Sequence, residues 1–249
     1  MNRYGLIGYK LAHSYSPIIH QYLFSKNNIN ATYDLVEVEE NELANIIEDL
    51  KNNTYQGLNV TIPYKEKIIP FCDILTDAAK KIGAVNTLYI RNGNVIGDNT
   101  DHSGFARQLD FYNIDVNGKN VYVLGNGGAA KAIKYALTSL GANVVVVSRS
   151  GKDISYEDLI KLDRYDILIN TTPLGMYPNT DTSILEKEIV QKAEICIDLI
   201  YNPRFTKFLS FAKEGYHSLL MLVFQAIDAE EIWQKSNLEY NLNEIEGLL

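Results

Sequence analysis

Val121-Tyr-Val-Leu-Gly-Asn-Gly-Gly-Ala-Ala130 is the stretch whose reading decides the fold of this chain. Four β-prone residues lead into a glycine-rich turn, and an alanine-rich run follows. That order predicts a strand over 121–124 and a helix over 129–140, stopped by Gly141. A valine run over 144–147 then reads as a strand buried on both faces. The unit is βαβ, and Gly125-Asn126-Gly127-Gly128-Ala129-Ala130 fits G-x-G-x-x-A at its first turn. Gly125 permits the tight turn, Gly127 lets the backbone approach a pyrophosphate, and Ala130 lets helix and strand pack closely. The helix start offers free N–H groups and a positive dipole end to phosphates. A plain strand-to-helix turn is the competing account.

The end of the second strand discriminates between dinucleotides. An NAD site places a carboxylate there for the ribose hydroxyls. This chain has Ser148-Arg149-Ser150-Gly151-Lys152 instead. A guanidinium, two hydroxyls and an ammonium suit a 2′-phosphate, so NADP is the expected cofactor. Asp153 is the residue that speaks for NAD, and a solvated charge after the strand is the bland reading of Arg149.

Outward from this unit the alternation continues. Strands are expected at 166–170 and 195–199, a helix over 205–214 stopped by Gly215, and a long closing helix over 219–235. Toward the N-terminus, Tyr4-Gly-Leu-Ile-Gly8 is a buried strand. Ser16 then caps a helix with Pro17 in its first turn. A strand over 32–38, an amphipathic helix over 40–52, a strand over 57–61 and a helix opened by Pro63 follow. Leu88 to Ile96 reads as a hairpin turning on Asn92-Gly93. The class is α/β with two domains, the first an open, mostly parallel sheet sandwiched by helices. The expected division is 1–103 with 219–249 for one domain, the last helix returning to it, and 104–218 for the other.

Bulk composition narrows the function. The chain has 249 residues, 46% of them hydrophobic, enough for two cores. Its formal net charge of −8 argues against nucleic acid as a partner. Cys72 and Cys196 are isolated among apolar neighbours, as two buried thiols in a reducing compartment would be. The first residues already form a strand pattern rather than a signal peptide, and no apolar run reaches the roughly 20 residues of a membrane span. A cytoplasmic protein is expected, with a small-molecule substrate, as a monomer or homodimer. No histidine or cysteine pairing suggests a metal.

Two ionisable residues stand at the ends of short apolar runs. Lys65 closes Gly57-Leu-Asn-Val-Thr-Ile-Pro-Tyr-Lys65, and Asp101 closes Gly97-Asp-Asn-Thr-Asp101. An ammonium and a carboxylate beside a dinucleotide site suit hydride transfer at a carbinol carbon with proton transfer at its oxygen. For Lys65 the alternative is a surface charge in a helix's first turn, where cations are mildly unfavourable. For Asp101 it is a helix N-cap, which is compatible with catalysis. Ser14 and Ser16, in His13-Ser-Tyr-Ser-Pro17, are suitable donors to a carboxylate; simple capping explains Ser16 but not Ser14. His13 shapes that loop, His20 reads as a satisfied structural histidine, and His102 is adjacent to Asp101 and placed to tune it.

Taken in order, His13-Ser-Tyr-Ser-Pro17, Gly57 to Lys65, Gly83-Ala-Val-Asn-Thr87, Gly97 to Asp101, Gly125 to Ala130 and Asn170-Thr-Thr-Pro-Leu-Gly-Met176 resemble the successive signatures of the shikimate dehydrogenases. The resemblance spans essentially the whole chain. It implies a substrate domain, a Rossmann-like NADP-binding domain and an active site in the groove between them. It further implies reversible NADPH-dependent reduction of 3-dehydroshikimate to shikimate, within aromatic amino-acid biosynthesis.

Residue by residue, the resemblance makes Lys65 and Asp101 the catalytic pair. Ser14 and Ser16 bind the substrate carboxylate, while Asn59, Thr61 and Asn86 hold ring hydroxyls or support the pair. Tyr201 and Gln225 complete the substrate pocket. On the cofactor side it implies Gly125 to Ala130, Ser148, Arg149, Ser150, Lys152, Thr171, Leu199, Ser218 and Met221, with Asp77 near the cofactor. The chain departs from the family at Ser218-Leu-Leu220, where glycines are usual before Met221. Three rivals remain at this stage. One is an NAD-using quinate/shikimate dehydrogenase, one a methylene-tetrahydromethanopterin dehydrogenase on the same plan, and one a non-catalytic nucleotide and metabolite sensor. The last has no use for Lys65 together with Asp101.

Overall fold

The computed structural model describes residues 1–12, 14–151 and 153–249. Lys152, expected on the cofactor side, and His13, expected to shape the serine loop, lie outside the described residues. The chain divides into two compact units, Met1–Gly104 with Leu222–Leu249, and Phe105–Met221.

The first unit runs β1 (Asn2–Gly8), α1 (Ser16–Lys26), β2 (Ala31–Glu37), α2 (Leu43–Lys51), β3 (Gly57–Val60), β4 (Ile74–Leu75), α3 (Asp77–Ile82), β5 (Thr87–Arg91) and β6 (Asn94–Asp98). Its sheet has the order β2-β1-β3-β5-β6-β4. β1 pairs parallel with β2 and β3, whereas β5 pairs antiparallel with β3 and β6. The expected hairpin is there, with Asn92 and Gly93 both left-handed (φ 52° and 77°), as a tight two-residue turn between twisted strands requires. Ile7, Leu58, Val60, Leu88 and Val95 pack with Leu43, Ile47 and Leu50 of α2 in one core. After β2 the chain returns across β1 to lay down β3. The loops following β1 and β3 therefore flank the point where strand order reverses, the place where open sheets bind ligands.

α4 (Asp101–Phe111) carries the chain into the second unit. There follow β7 (Asn120–Leu124), α5 (Gly128–Ser139), β8 (Asn143–Val147), α6 (Tyr156–Ile160), β9 (Tyr165–Asn170), α7 (Lys187–Val190), β10 (Ala193–Asp198), α8 (Lys207–Phe211) and β11 (Gly215–His217). The sheet order is β11-β10-β9-β7-β8, parallel throughout. Its strand order reverses at β7, so the glycine turn after β7 and the Thr171-Thr172 loop after β9 frame the switch point. α9 (Leu219–Gln234) and α10 (Leu242–Leu248) close the chain, and from Leu222 onward they belong to the first unit.

Three local expectations are corrected. Ser16 is not the N-cap of α1: Tyr15 holds that position without a side-chain cap, and the Ser16 N–H donates to Ser14 Oγ at 3.2 Å. Pro63 opens no helix. The segment after it is a series of turns running into one 3-10 turn at Ile69–Phe71, and the Lys65 carbonyl accepts the Val85 N–H at 2.7 Å rather than feeding a helical ladder. The helix expected over 205–214 is only Lys207–Phe211, capped by Thr206; Ala212 is already extended, and Gly215 begins a strand instead of stopping a helix.

Candidate functional site

In the first unit, Lys65 Nζ lies 2.6 Å from Asp101 Oδ2, with the two side chains 15% and 6% exposed. Lys65 stands on the turns after β3 and Asp101 is the first residue of α4. A nearly buried ion pair is costly unless its remaining polar atoms are satisfied. Asn86 satisfies them on the acid side, donating from Nδ2 to Asp101 Oδ1 at 3.0 Å. Asn99 Oδ1 accepts the Asp101 N–H at 3.1 Å.

Asn86 is the hub of this network. Its Nδ2 also donates to Thr100 Oγ1 at 3.0 Å, with Gln225 Oε1 a longer contact at 3.3 Å. Its Oδ1 accepts the Thr100 N–H at 2.7 Å and the Thr87 hydroxyl at 2.9 Å. Two N–H bonds and two lone pairs are the whole capacity of a carboxamide. In this arrangement Asn86 spends that capacity on groups of its own unit, which favours support of the pair over direct contact with a ligand. Asn59, on β3, donates from Nδ2 to Asn86 O and Thr87 Oγ1, each at 3.2 Å, and accepts the Tyr33 hydroxyl at 2.7 Å. Gln225 Nε2 is anchored on Leu222 O at 2.9 Å. Thr61 follows β3, its N–H on Ile7 O, and Ser14 and Ser16 lie after β1 at the same edge of the sheet. Asp77 is exposed in the first turn of α3.

His102 beside Asp101 is held below the ordinary histidine range: burial outweighs the opposing carboxylates of Asp98, Asp101 and Asp228. His20 is not fully satisfied. Its Nδ1 lies 2.6 Å from Glu230 Oε1, but Nε2 has no hydrogen-bond partner among the described residues.

In the second unit the glycine turn has the geometry a pyrophosphate requires. Gly125 has φ +112°, and a Cβ there would lie 2.7 Å from Thr171 Oγ1. Gly127 is the N-cap of α5 and has no side chain with which to cap it, while a Cβ on Gly127 would meet nothing within 4 Å. The first turn of α5, with Gly128 and Ala129, therefore opens onto clear space, and buried Ala130 packs inward. Asn126 lies within the turn. Thr171 is committed to the framework, its hydroxyl donating to Leu124 O at 2.7 Å.

After β8, Ser148 and Ser150 share a hydrogen bond at 3.0 Å beside exposed Arg149. Asp153, the residue favouring NAD, turns back on its own unit. Its Oδ2 accepts the Val146 N–H and lies 3.1 Å from Lys134 Nζ. The residues present thus fit a dinucleotide carrying a 2′-phosphate.

Gln108 on α4, missed in the sequence, organises the segment where glycines are usual. Its Nε2 donates to Ser218 Oγ at 3.2 Å and its Oε1 accepts the Met221 N–H at 2.9 Å. Leu219 and Leu220 are buried, and Met221 joins the core of this unit with Leu199 against it. Tyr201 also belongs to this unit, after β10. The local signal for Gln108 is weak: one buried polar residue on a helix that is not strongly patterned. Thr87 and Thr100 were within reach, since both belong to motifs quoted for Asn86 and Asp101. Among the described residues, no group of three or more His, Cys, Asp or Glu is placed to hold a metal, and no helix is long and apolar enough to cross a membrane.

Two open α/β units, one with a dinucleotide turn at its switch point and one with an ammonium–carboxylate pair at the corresponding edge, define a nucleotide-dependent oxidoreductase of two-domain plan. Comparisons with known proteins specify it. The family model for the shikimate dehydrogenase substrate binding domain matches residues 6–88. A shikimate dehydrogenase (NADP(+)) of Clostridium beijerinckii is 44% identical over 259 residues, covering 98% of this chain and 96% of the relative. The crystal structure of shikimate dehydrogenase 1 from Peptoclostridium difficile superposes with a TM-score of 0.92 at 39% identity, covering all of both chains. That of the Thermus thermophilus enzyme, in complex with NADP(H) and shikimate, gives 0.90 at 28% identity, covering 100% of this chain and 98% of that one. The chain belongs to the shikimate dehydrogenase family.

Proposed function

We propose that this protein catalyses the reversible NADP(H)-dependent reduction of 3-dehydroshikimate to shikimate, a step of the shikimate pathway toward chorismate and the aromatic amino acids. The observation that carries the reading is the Lys65–Asp101 pair, 2.6 Å apart and held by Asn86 in a saturated network. The first unit is the substrate domain and the second the NADP domain; the family model over 6–88 supports the former, and the glycine turn with Ser148, Arg149 and Ser150 the latter.

When bound, NADPH supplies the hydride that reduces the carbonyl carbon. Lys65 stabilises the charge that builds on the carbonyl oxygen and delivers a proton to it; in the oxidative direction it receives that proton. Asp101 Oδ2 holds the ammonium in place, so the carboxylate orients rather than transfers. Ser14 and Ser16 bind the substrate carboxylate, and Asn59, Thr61, Tyr201 and Gln225 bind the ring. Gly125 to Ala130 hold the pyrophosphate, Arg149 with its flanking serines the 2′-phosphate, and Leu199, Ser218 and Met221 the nicotinamide side. Such an enzyme is expected in the cytoplasm.

Initial rates with NADP⁺ and NAD⁺, each on shikimate and on quinate, test the reading. Turnover of shikimate with NADP⁺ should dominate. Equal or better turnover with NAD⁺ would overturn the cofactor assignment, and preference for quinate the substrate.

A further inference from the structure

Tyr33 lies on β2, and its ring is almost wholly buried. One face stacks on the His20 imidazole, centroids 3.8 Å apart and planes 10° from parallel. His20 is fixed by Glu230 of α9 at 2.6 Å, and Glu230 Oε2 accepts Gln234 Nε2 at 3.0 Å. The ring therefore has little freedom to swing, and its oxygen is held at one point.

That oxygen meets Asn59. A carboxamide can be turned either way, and here its neighbours decide. Asn86 O is a pure acceptor, so Asn59 Nδ2 must face it, and Oδ1 must face Tyr33. The phenol proton is thereby committed to Asn59 Oδ1. Both Asn59 N–H bonds are also committed, to Asn86 O and Thr87 Oγ1. What remains for a ligand is one lone pair on Oδ1.

We propose that Tyr33 is a positioning residue for the substrate, fixing Asn59 as a pure acceptor for one ring hydroxyl of shikimate, with the His20–Glu230 pair as the wedge that holds Tyr33. This rests on the functional reading above. The interaction is made with a hydroxyl that does not react, so it is felt alike in ground and transition states and appears in KM more than in kcat.

The test is Tyr33→Phe, which keeps the stacked ring and removes only the oxygen. Shikimate KM, and Kd by calorimetry, should rise about five- to tenfold, the usual worth of one hydrogen bond, with kcat changed less than twofold and NADP⁺ KM unchanged. Shikimate analogues lacking one non-reacting hydroxyl separate positioning from general loosening: on one of them wild type and variant should bind equally. A lowered melting temperature with unchanged shikimate Kd would make Tyr33 purely structural and overturn the proposal. So would an equal penalty on every analogue. If the wild type itself does not oxidise shikimate with NADP⁺, the functional reading has failed instead.

Discussion

Asn86 Nδ2 and Asp101 Oδ1 lie 3.0 Å apart, and this contact leaves Oδ2 as the single carboxylate oxygen turned to Lys65. The acid is thus oriented by a residue whose own hydrogen-bonding capacity is exhausted. The proposed mechanism divides the roles accordingly: Lys65 would handle the proton, Asp101 would aim it, and Asn86 would aim Asp101.

Lys65→Met should lower kcat by roughly 10²–10⁴-fold, the usual range for a general acid or base, with shikimate Kd largely kept. Steady-state rates and calorimetric titration of the same preparation check this. An unchanged turnover number would remove Lys65 from the chemistry.

Asn86→Ala strips partners from the Thr100 N–H, the Thr87 hydroxyl and Asp101 Oδ1 at once. Leaving such buried groups unsatisfied costs about 1–3 kcal/mol. The urea midpoint should fall accordingly and kcat should fall with it, because Asp101 loses its aim. A variant that is less stable yet fully active would show that the network serves the fold alone.

The glycine turn permits a contrast. Gly127→Ala adds a methyl in clear space at ordinary backbone angles, so stability should barely change while NADP⁺ Kd rises at least tenfold. Gly125→Ala places a Cβ 2.7 Å from Thr171 Oγ1 at φ +112°, so it should lose both binding and stability, the latter by about 1–3 kcal/mol. Thermal melts with and without NADP⁺ separate the two. Equal melting losses in the apo proteins would contradict the geometry.

Asp198, fully buried at the end of β10, is pushed up to about 6 by burial, against donations from Thr206, Ile200 and Asn170. An acid whose folded pKa lies above its unfolded one binds more protons in the native state between the two. Its contribution to stability therefore worsens as pH rises from about 4 to about 6 and is level above. Asp198→Asn should remove that slope. Compared with wild type by urea unfolding, the variant should gain up to about 3 kcal/mol between pH 4 and pH 7. No pH dependence in the difference would mean that Asp198 ionises as readily folded as unfolded.

Both thiols are pushed up to about 12 by burial, although Cys72 is only partly covered and Cys196 wholly so. Neither should be rapidly labelled by a thiol reagent at pH 8 in the native protein. Labelling of either at the rate of a free thiol would show local opening.

The sequence alone determined the two alternating α/β blocks, the glycine turn, the serine loop and the placement of Lys65 and Asp101 at apolar-run ends. Each of these is a local signal: a periodicity, a turn residue or a short motif read within about ten residues. Tertiary structure alone decided what each side chain faces. The family resemblance pairs Lys65 with Asp101, 36 residues on, but Tyr33 meets a partner 26 residues away and His20 one 210 away, and no local pattern encodes those pairings. The same is true of the turns after Pro63, where a carbonyl captured by Val85 defeats a local helix signal. Whether a carboxamide is a donor, an acceptor or fully used depends on the groups around it in space, and those are set only when the strands and helices have packed.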